Sequence, residues 1–172
     1  AGLRLALSMI DLTTLEGKDS PEKVRGLCQK AVRPDPTRAD IPSVAAVCVY
    51  PTMIKVACEN PAAIGGSYVK VAAVATGFPS GQFPLAVRIA DTEQAVRDGA
   101  DESDMVISRG SFLSGRYDEV AEEIREFKNV CNASGSLGGK KHVHLKVILE
   151  TGELETYDNA RRASDLAIEA LL

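Results

Sequence analysis

Five times along the chain, a short run of β-branched and apolar residues is followed by a longer stretch with helical spacing. This alternation predicts strands over Ser8–Leu12, Ser43–Val49, Val69–Ala75, Glu102–Ile107 and His142–Leu149. A helix over Pro21–Val32 has Ser20 as its N-cap and Pro21 at its first position, and Val24, Leu27, Cys28 and Ala31 share one face. Pro34 and Pro36 end it. A second helix runs from Thr52 to about Ala63, with a bend expected at Pro61 and closure at Gly65-Gly66. A third spans Pro84–Asp98, with Leu85, Ile89 and Val96 as its apolar stripe. Tyr117 to about Asn132 is a charged amphipathic helix, burying Val120, Ile124, Phe127 and Val130. After a Gly/Ser loop over Ser134–Lys141, a last helix, Thr156–Leu172, turns Ala160, Ala163, Leu166, Ala167 and Ala170 to one side. Leu3, Leu5 and Leu7 suggest a helix at the amino end.

Strands that alternate with helices make an α/β protein with a parallel sheet, because right-handed crossovers lay the helices on its faces. Two architectures meet this: an open doubly wound sheet, or part of a (β/α)8 barrel. After the first strand stands Asp11-Leu12-Thr13-Thr14-Leu15, with no Gly-rich phosphate fingerprint, which weakens a nucleotide-binding reading.

Composition narrows the function. The 172 residues carry 20 Lys+Arg against 24 Asp+Glu, a formal charge of −4, with 45 % hydrophobic residues. That excludes collagen-like, low-complexity and disordered classes, and the mild acidity argues against nucleic acid as a partner. No apolar run approaches the ~20 residues of a membrane span. The Ala1–Leu7 stretch does not predict a signal peptide. Cys28, Cys48, Cys58 and Cys131 form no CxxC pair, so they are expected to be buried thiols in a reducing cytosol, and the chain cytoplasmic. The length fits one domain over residues 1–172, with no dividing linker.

The fifth strand is unusual. His142, His144, Lys146, Ile148 and Glu150 share one parity; Val143, Leu145, Val147 and Leu149 share the other. If the apolar set faces the helices, Lys146 faces inward and needs a carboxylate partner. Asp104 in the fourth strand and Asp11 in the first are the candidates. Such a group suits proton transfer, because burial and pairing move its pKa values; it is equally what a structural ion pair looks like. His142 and His144 read as ordinary strand polar residues, with no metal-ligand spacing around them. Glu150–Glu153 fits an N-cap region as well as a catalytic loop. Arg109 and Arg116, after the fourth strand, could meet an anion.

Several blocks in sequence resemble the deoxyribose-phosphate aldolase family. They are Ile10–Leu15, Val47-Cys48-Val49-Tyr50-Pro51, Val74–Gly81 with its Thr-Gly-Phe-Pro core, Gly99–Arg109, and Leu145–Leu154. The resemblance implies a (β/α)8 TIM barrel of which this chain holds about the first five βα units, the N-terminal portion of a catalytic domain. It implies reversible cleavage of 2-deoxy-D-ribose 5-phosphate to acetaldehyde and D-glyceraldehyde 3-phosphate through a lysine Schiff base, without metal or other cofactor. Asp104 matches the family's proton-relay aspartate; Asp11, Thr13, Cys48 and Lys146 match positions that line its pocket. Such proteins often associate as homo-oligomers. The family's Schiff-base lysine lies on a sixth strand, and the match ends at Leu172 before it. The 172 residues alone are therefore expected to be inactive. The alternatives are a shortened, non-catalytic homologue serving as a binding or assembly module, and another lysine-dependent aldolase of the same fold.

Overall fold

The structure, a computed structural model, describes residues 2–63, 65–66, 68–140 and 142–172. Ala1 and Lys141, at the ends of the expected first helix and of the Gly/Ser loop, lie outside the described residues. The elements run α1 (Gly2–Leu7), β1 (Asp11–Thr13), α2 (Pro21–Val32), β2 (Ala46–Val49), α3 (Ile54–Ala63), β3 (Lys70–Val74), α4 (Leu85–Arg97), β4 (Glu102–Val106), α5 (Arg109–Leu113), α6 (Tyr117–Asn132), β5 (His144–Ile148) and α7 (Tyr157–Leu171). Single 3-10 turns, Pro51–Met53 and Thr151–Glu153, precede α3 and α7.

All pairings are parallel, and the strand order is β1-β2-β3-β4-β5. This order decides between the two architectures. A doubly wound sheet reverses direction at a switch point, whereas successive right-handed crossovers in one direction put every helix on the same side and curl the sheet. The arc is that of a barrel wall.

Facing alternates with the pleat, and β2, β3 and β4 are buried on both sides along most of their length. Val47, Val49, Val71 and Ala73 pack outward against Val24, Cys28, Ala31, Ile54 and Ala57 of α2 and α3. Met105 and Leu145 pack outward against Phe112, Val120, Ile124, Phe127 and Cys131, with Ala163, Ala167 and Ala170 of α7. Cys48, Ala72 and Val74 point the other way and form a small inner cluster.

Helix ends follow the residues expected. The Ser20 hydroxyl accepts from the Lys23 N–H, and Thr156 Oγ1 does the same for Asn159. Strands are shorter than their apolar runs because the ladder, not hydrophobicity, ends them. The first is displaced. Ser8 and Met9 belong to the turn closing α1, donating to the Arg4 and Ala6 carbonyls, so pairing starts only at Asp11. On α4 the expected stripe is rotated: Leu85 is exposed, and the buried residues are Arg88, Thr92, Ala95 and Val96. On α6, Cys131 rather than the half-buried Val130 completes the core line. The helix α5 has no counterpart in the spacing, since its five residues are too few to show a period.

Candidate active site

Inward-facing residues of β1, β2, β4 and β5 meet on the concave side of the arc. Asp104 and Lys146 are register partners on β4 and β5, so their side chains rise side by side. The Lys146 ammonium lies 3.2 Å from Asp104 Oδ1 and 2.9 Å from Glu102 Oε2. It also donates to Asp11 Oδ2, reaching across the interior from β5 to β1. Three carboxylates thus surround one ammonium.

The expected partners of Lys146, Asp104 and Asp11, are both present. Glu102 is the residue that sequence reasoning missed. Its signal was available, since Glu102 stands two residues before Asp104 on one strand and must share its face.

Burial and charge set the protonation of this group. Burial pushes the Asp104 carboxyl above its ordinary range, and the Lys146 ammonium and Cys48 thiol only partly offset that. Burial works against charge on Lys146 too, but the hydrogen bond it donates to Asp11, the charge of Asp104 and the hydrogen bond it donates to Glu102 together hold its pKa above the usual lysine value. Lys146 is therefore a firmly protonated cation, poorly suited to attack a carbonyl. Asp104 is a buried carboxyl with an enhanced hold on its proton, suited to general acid–base work. Its Oδ1 has no well-directed hydrogen-bond donor, while Oδ2 accepts from the Cys48 thiol at 3.6 Å. The Cys48 thiol is pushed up to about 12, by burial first and then by the neighbouring Asp104 charge. With so little thiolate at neutral pH it is poorly suited to act as a nucleophile.

Apolar residues complete the wall. Leu15, Tyr50, Phe78 and Ile148 pack against Cys48, Ala72 and Val74. The Tyr50 and Phe78 rings are 6.5 Å apart and tilted. Both come from segments just beyond the carboxyl ends of β2 and β3, the end where barrel sites are built.

Thr13 stands apart. It shares the parity of Asp11, but it is exposed and its hydroxyl donates to the Asp11 carbonyl rather than to the charged group. His142 and His144 lie at the opposite, amino-terminal end of β5. Among the described residues no group of three or more His, Cys, Asp or Glu is arranged to hold a metal ion. Arg109 is already engaged. Its Nε pairs with Glu153 at 2.5 Å and its two terminal nitrogens donate to the Pro79 carbonyl at 3.1 Å. Arg116 pairs with Glu119 and Ser111. Among the described residues no helix is long and apolar enough to cross a membrane.

Comparison with known proteins agrees with this geometry. The chain is 39 % identical over 182 aligned residues to the human deoxyribose-phosphate aldolase, covering 99 % of this chain and 53 % of that protein. It is 38 % identical over 164 residues to the deoxyribose-phosphate aldolase of Agrobacterium fabrum, covering 95 % of this chain and 57 % of that one. Among solved structures, the aldolase QR15 superposes with a TM-score of 0.75 at 28 % identity, over 95 % of this chain and 63 % of its own. The chain thus spans about half the length of the curated relatives it matches. A sequence model described as DeoC/LacD family aldolase matches residues 5–168. With the five-stranded barrel arc and an inward lysine–carboxylate group behind it, the chain belongs to the DeoC/LacD aldolase family.

Proposed function

We propose that residues 1–172 form the N-terminal portion of one barrel domain and supply the proton-relay wall of a deoxyribose-phosphate aldolase. The reaction is reversible cleavage of 2-deoxy-D-ribose 5-phosphate to acetaldehyde and D-glyceraldehyde 3-phosphate. The observation that carries the reading is the buried Asp104 carboxyl, raised in pKa and 3.2 Å from the Lys146 ammonium. A Schiff-base aldolase must move protons to and from carbon and oxygen near the imine. Asp104 is the group here with a proton affinity shifted toward that work. Lys146 biases Asp104 toward the ionised form, while burial biases it the other way, so both protonation states are brought closer in energy. Asp11 and Glu102 hold Lys146 in place, and Cys48 shapes the pocket, while the exposed Thr13 takes no part in the charged group. Because Lys146 is held protonated, the imine-forming amine is assigned to another lysine, which the aldolase resemblance puts on a later strand.

Borohydride trapping tests this. The 172-residue chain incubated with acetaldehyde and reductant should gain no adduct on Lys146 by peptide mass spectrometry. The chain continued by the C-terminal half of its human relative should cleave 2-deoxy-D-ribose 5-phosphate, with the adduct on a lysine of the added segment. An Asp104→Asn version of that fusion should lose most of its turnover, by about 10²-fold or more. A reduced adduct on Lys146, or an Asp104→Asn fusion with full turnover, would overturn the assignment.

A further inference from the structure

The second buried charge cluster lies outside the cavity, between the sheet and α4 and α6. Arg88 and Glu123 are each more than nine-tenths buried and form an ion pair. A buried pair of this kind is expensive to desolvate and persists where its remaining donors and acceptors are used. Here they are. Arg88 Nε donates to the Thr76 carbonyl at 2.9 Å, Nη2 to the Val106 carbonyl at 2.7 Å and Nη1 to Ser108 Oγ at 3.1 Å. Glu123 accepts from the Ser108 N–H at 3.1 Å and from its hydroxyl at 3.0 Å. One pair of helix side chains therefore holds the exits of both β3 and β4.

One of the residues it holds is unusual. Thr76 is wholly buried, yet its φ is +65°. A β-branched residue in the left-handed region is a genuine outlier and needs its surroundings to impose it. The turn rotates the Thr76 carbonyl out of the sheet, and Arg88 supplies the donor that carbonyl would otherwise lack. In exchange Thr76 Oγ1 accepts from the Val106 N–H at 2.9 Å, continuing the β3–β4 pairing through a side chain. Two residues later comes Phe78, packed against the inner cluster of Cys48, Ala72 and Val74. Thr76 and Gly77, both at positive φ, turn the chain between β3 and Phe78.

We propose that Arg88 and Glu123 are positioning residues of the pocket: they hold Thr76 in its left-handed turn and thereby seat Phe78 on the cavity wall beside Cys48. The use of that wall in catalysis rests on the aldolase reading, but the test below reads thiol access rather than turnover, so the two can fail separately.

The chain's own cysteines report the result. Cys48 lies on the inner wall, while Cys28 and Cys131 lie fully buried in the two outer cores and register only global opening. Maleimide labelling of each thiol is followed by peptide mass spectrometry. Arg88→Met should speed Cys48 labelling about tenfold and leave Cys28 and Cys131 unchanged, since local opening need not involve the whole fold. Arg88→Lys, which keeps the charge and gathers its donors on a single nitrogen, should restore much of the protection. Phe78→Ala should reproduce the rise, and adding Arg88→Met to it should add nothing. If Arg88→Met does not fold, Glu123→Gln keeps the shape of the partner and carries the same expectations. A parallel rise at all three cysteines, no rise at Cys48, or additive effects with Phe78→Ala would each overturn the proposal.

Discussion

Asp104 and Lys146 face one another as register partners on adjacent strands, 3.2 Å apart, and the charge on each is set by the other and by burial. Lys146 answers to Asp11 and Glu102 as well, so Asp104 receives only a share of its compensation.

Removing the ammonium should leave three carboxylates repelling one another. Lys146→Met is expected to destabilise the fold by about 2 kcal/mol, below the ~3–5 kcal/mol of a fully buried pair because the site is partly open. The native lysine pKa is above the ordinary 10.5, so its contribution is whole at neutral pH and fades only as pH rises through the higher native value. Urea titrations of the two single variants and of Lys146→Met/Asp104→Asn check this. A coupling below about 0.5 kcal/mol would mean that the contact carries no energy.

Asp104 changes stability in the same direction with pH but in a lower window, and at neutral pH its charge is a penalty rather than a gain. The folded state keeps its proton to a higher pH than the unfolded chain, whose value is the ordinary 3.8. Between that value and the raised native one, stability therefore falls as pH rises, and the penalty remains above it. Asp104→Asn should match the parent below the ordinary carboxylate range and exceed it in stability at pH 7. Paired denaturant midpoints at the two pH values decide; a variant less stable at pH 7 refutes the sign.

The thiols should be sluggish. Burial pushes Cys28 and Cys131 up to about 11 and Cys48 to about 12, from 9.0. Iodoacetamide at mildly alkaline pH should therefore modify the half-buried Cys58 first and the other three only on unfolding. Cys48 reacting as fast as Cys58 in the native chain would contradict its place on a closed wall.

Phe127 anchors the core beneath the second charge cluster. It is fully buried, and the Arg88 guanidinium lies 5.3 Å from its ring centroid. Phe127→Ala should cost about 3–5 kcal/mol through the cavity it leaves. Phe127→Leu refills most of that space and should cost about 1 kcal/mol, part of it the lost cation–π contact. Thermal melts followed by circular dichroism give both numbers; equal losses would show that packing volume is not the cause.

The period of the sequence by itself marked the five strands and the longer helices, though not the short α5 or the exact start of β1, because pleat and helix repeats are written in the order of apolar residues. The same parity turned Lys146 inward and demanded a carboxylate for it. Asp11 and Asp104 could be nominated on that ground, and the motif blocks point to an aldolase. Tertiary structure alone decided the rest. Strand order chose the barrel arc over the doubly wound sheet, since both have the same local pattern. Register brought Glu102 to Lys146 and left Thr13 outside their charged group. The buried Arg88–Glu123 pair, the rotated stripe of α4 and the left-handed Thr76 were illegible from the chain, because a charged residue in a helix reads as solvent-facing until its partner, 35 positions away, is folded against it.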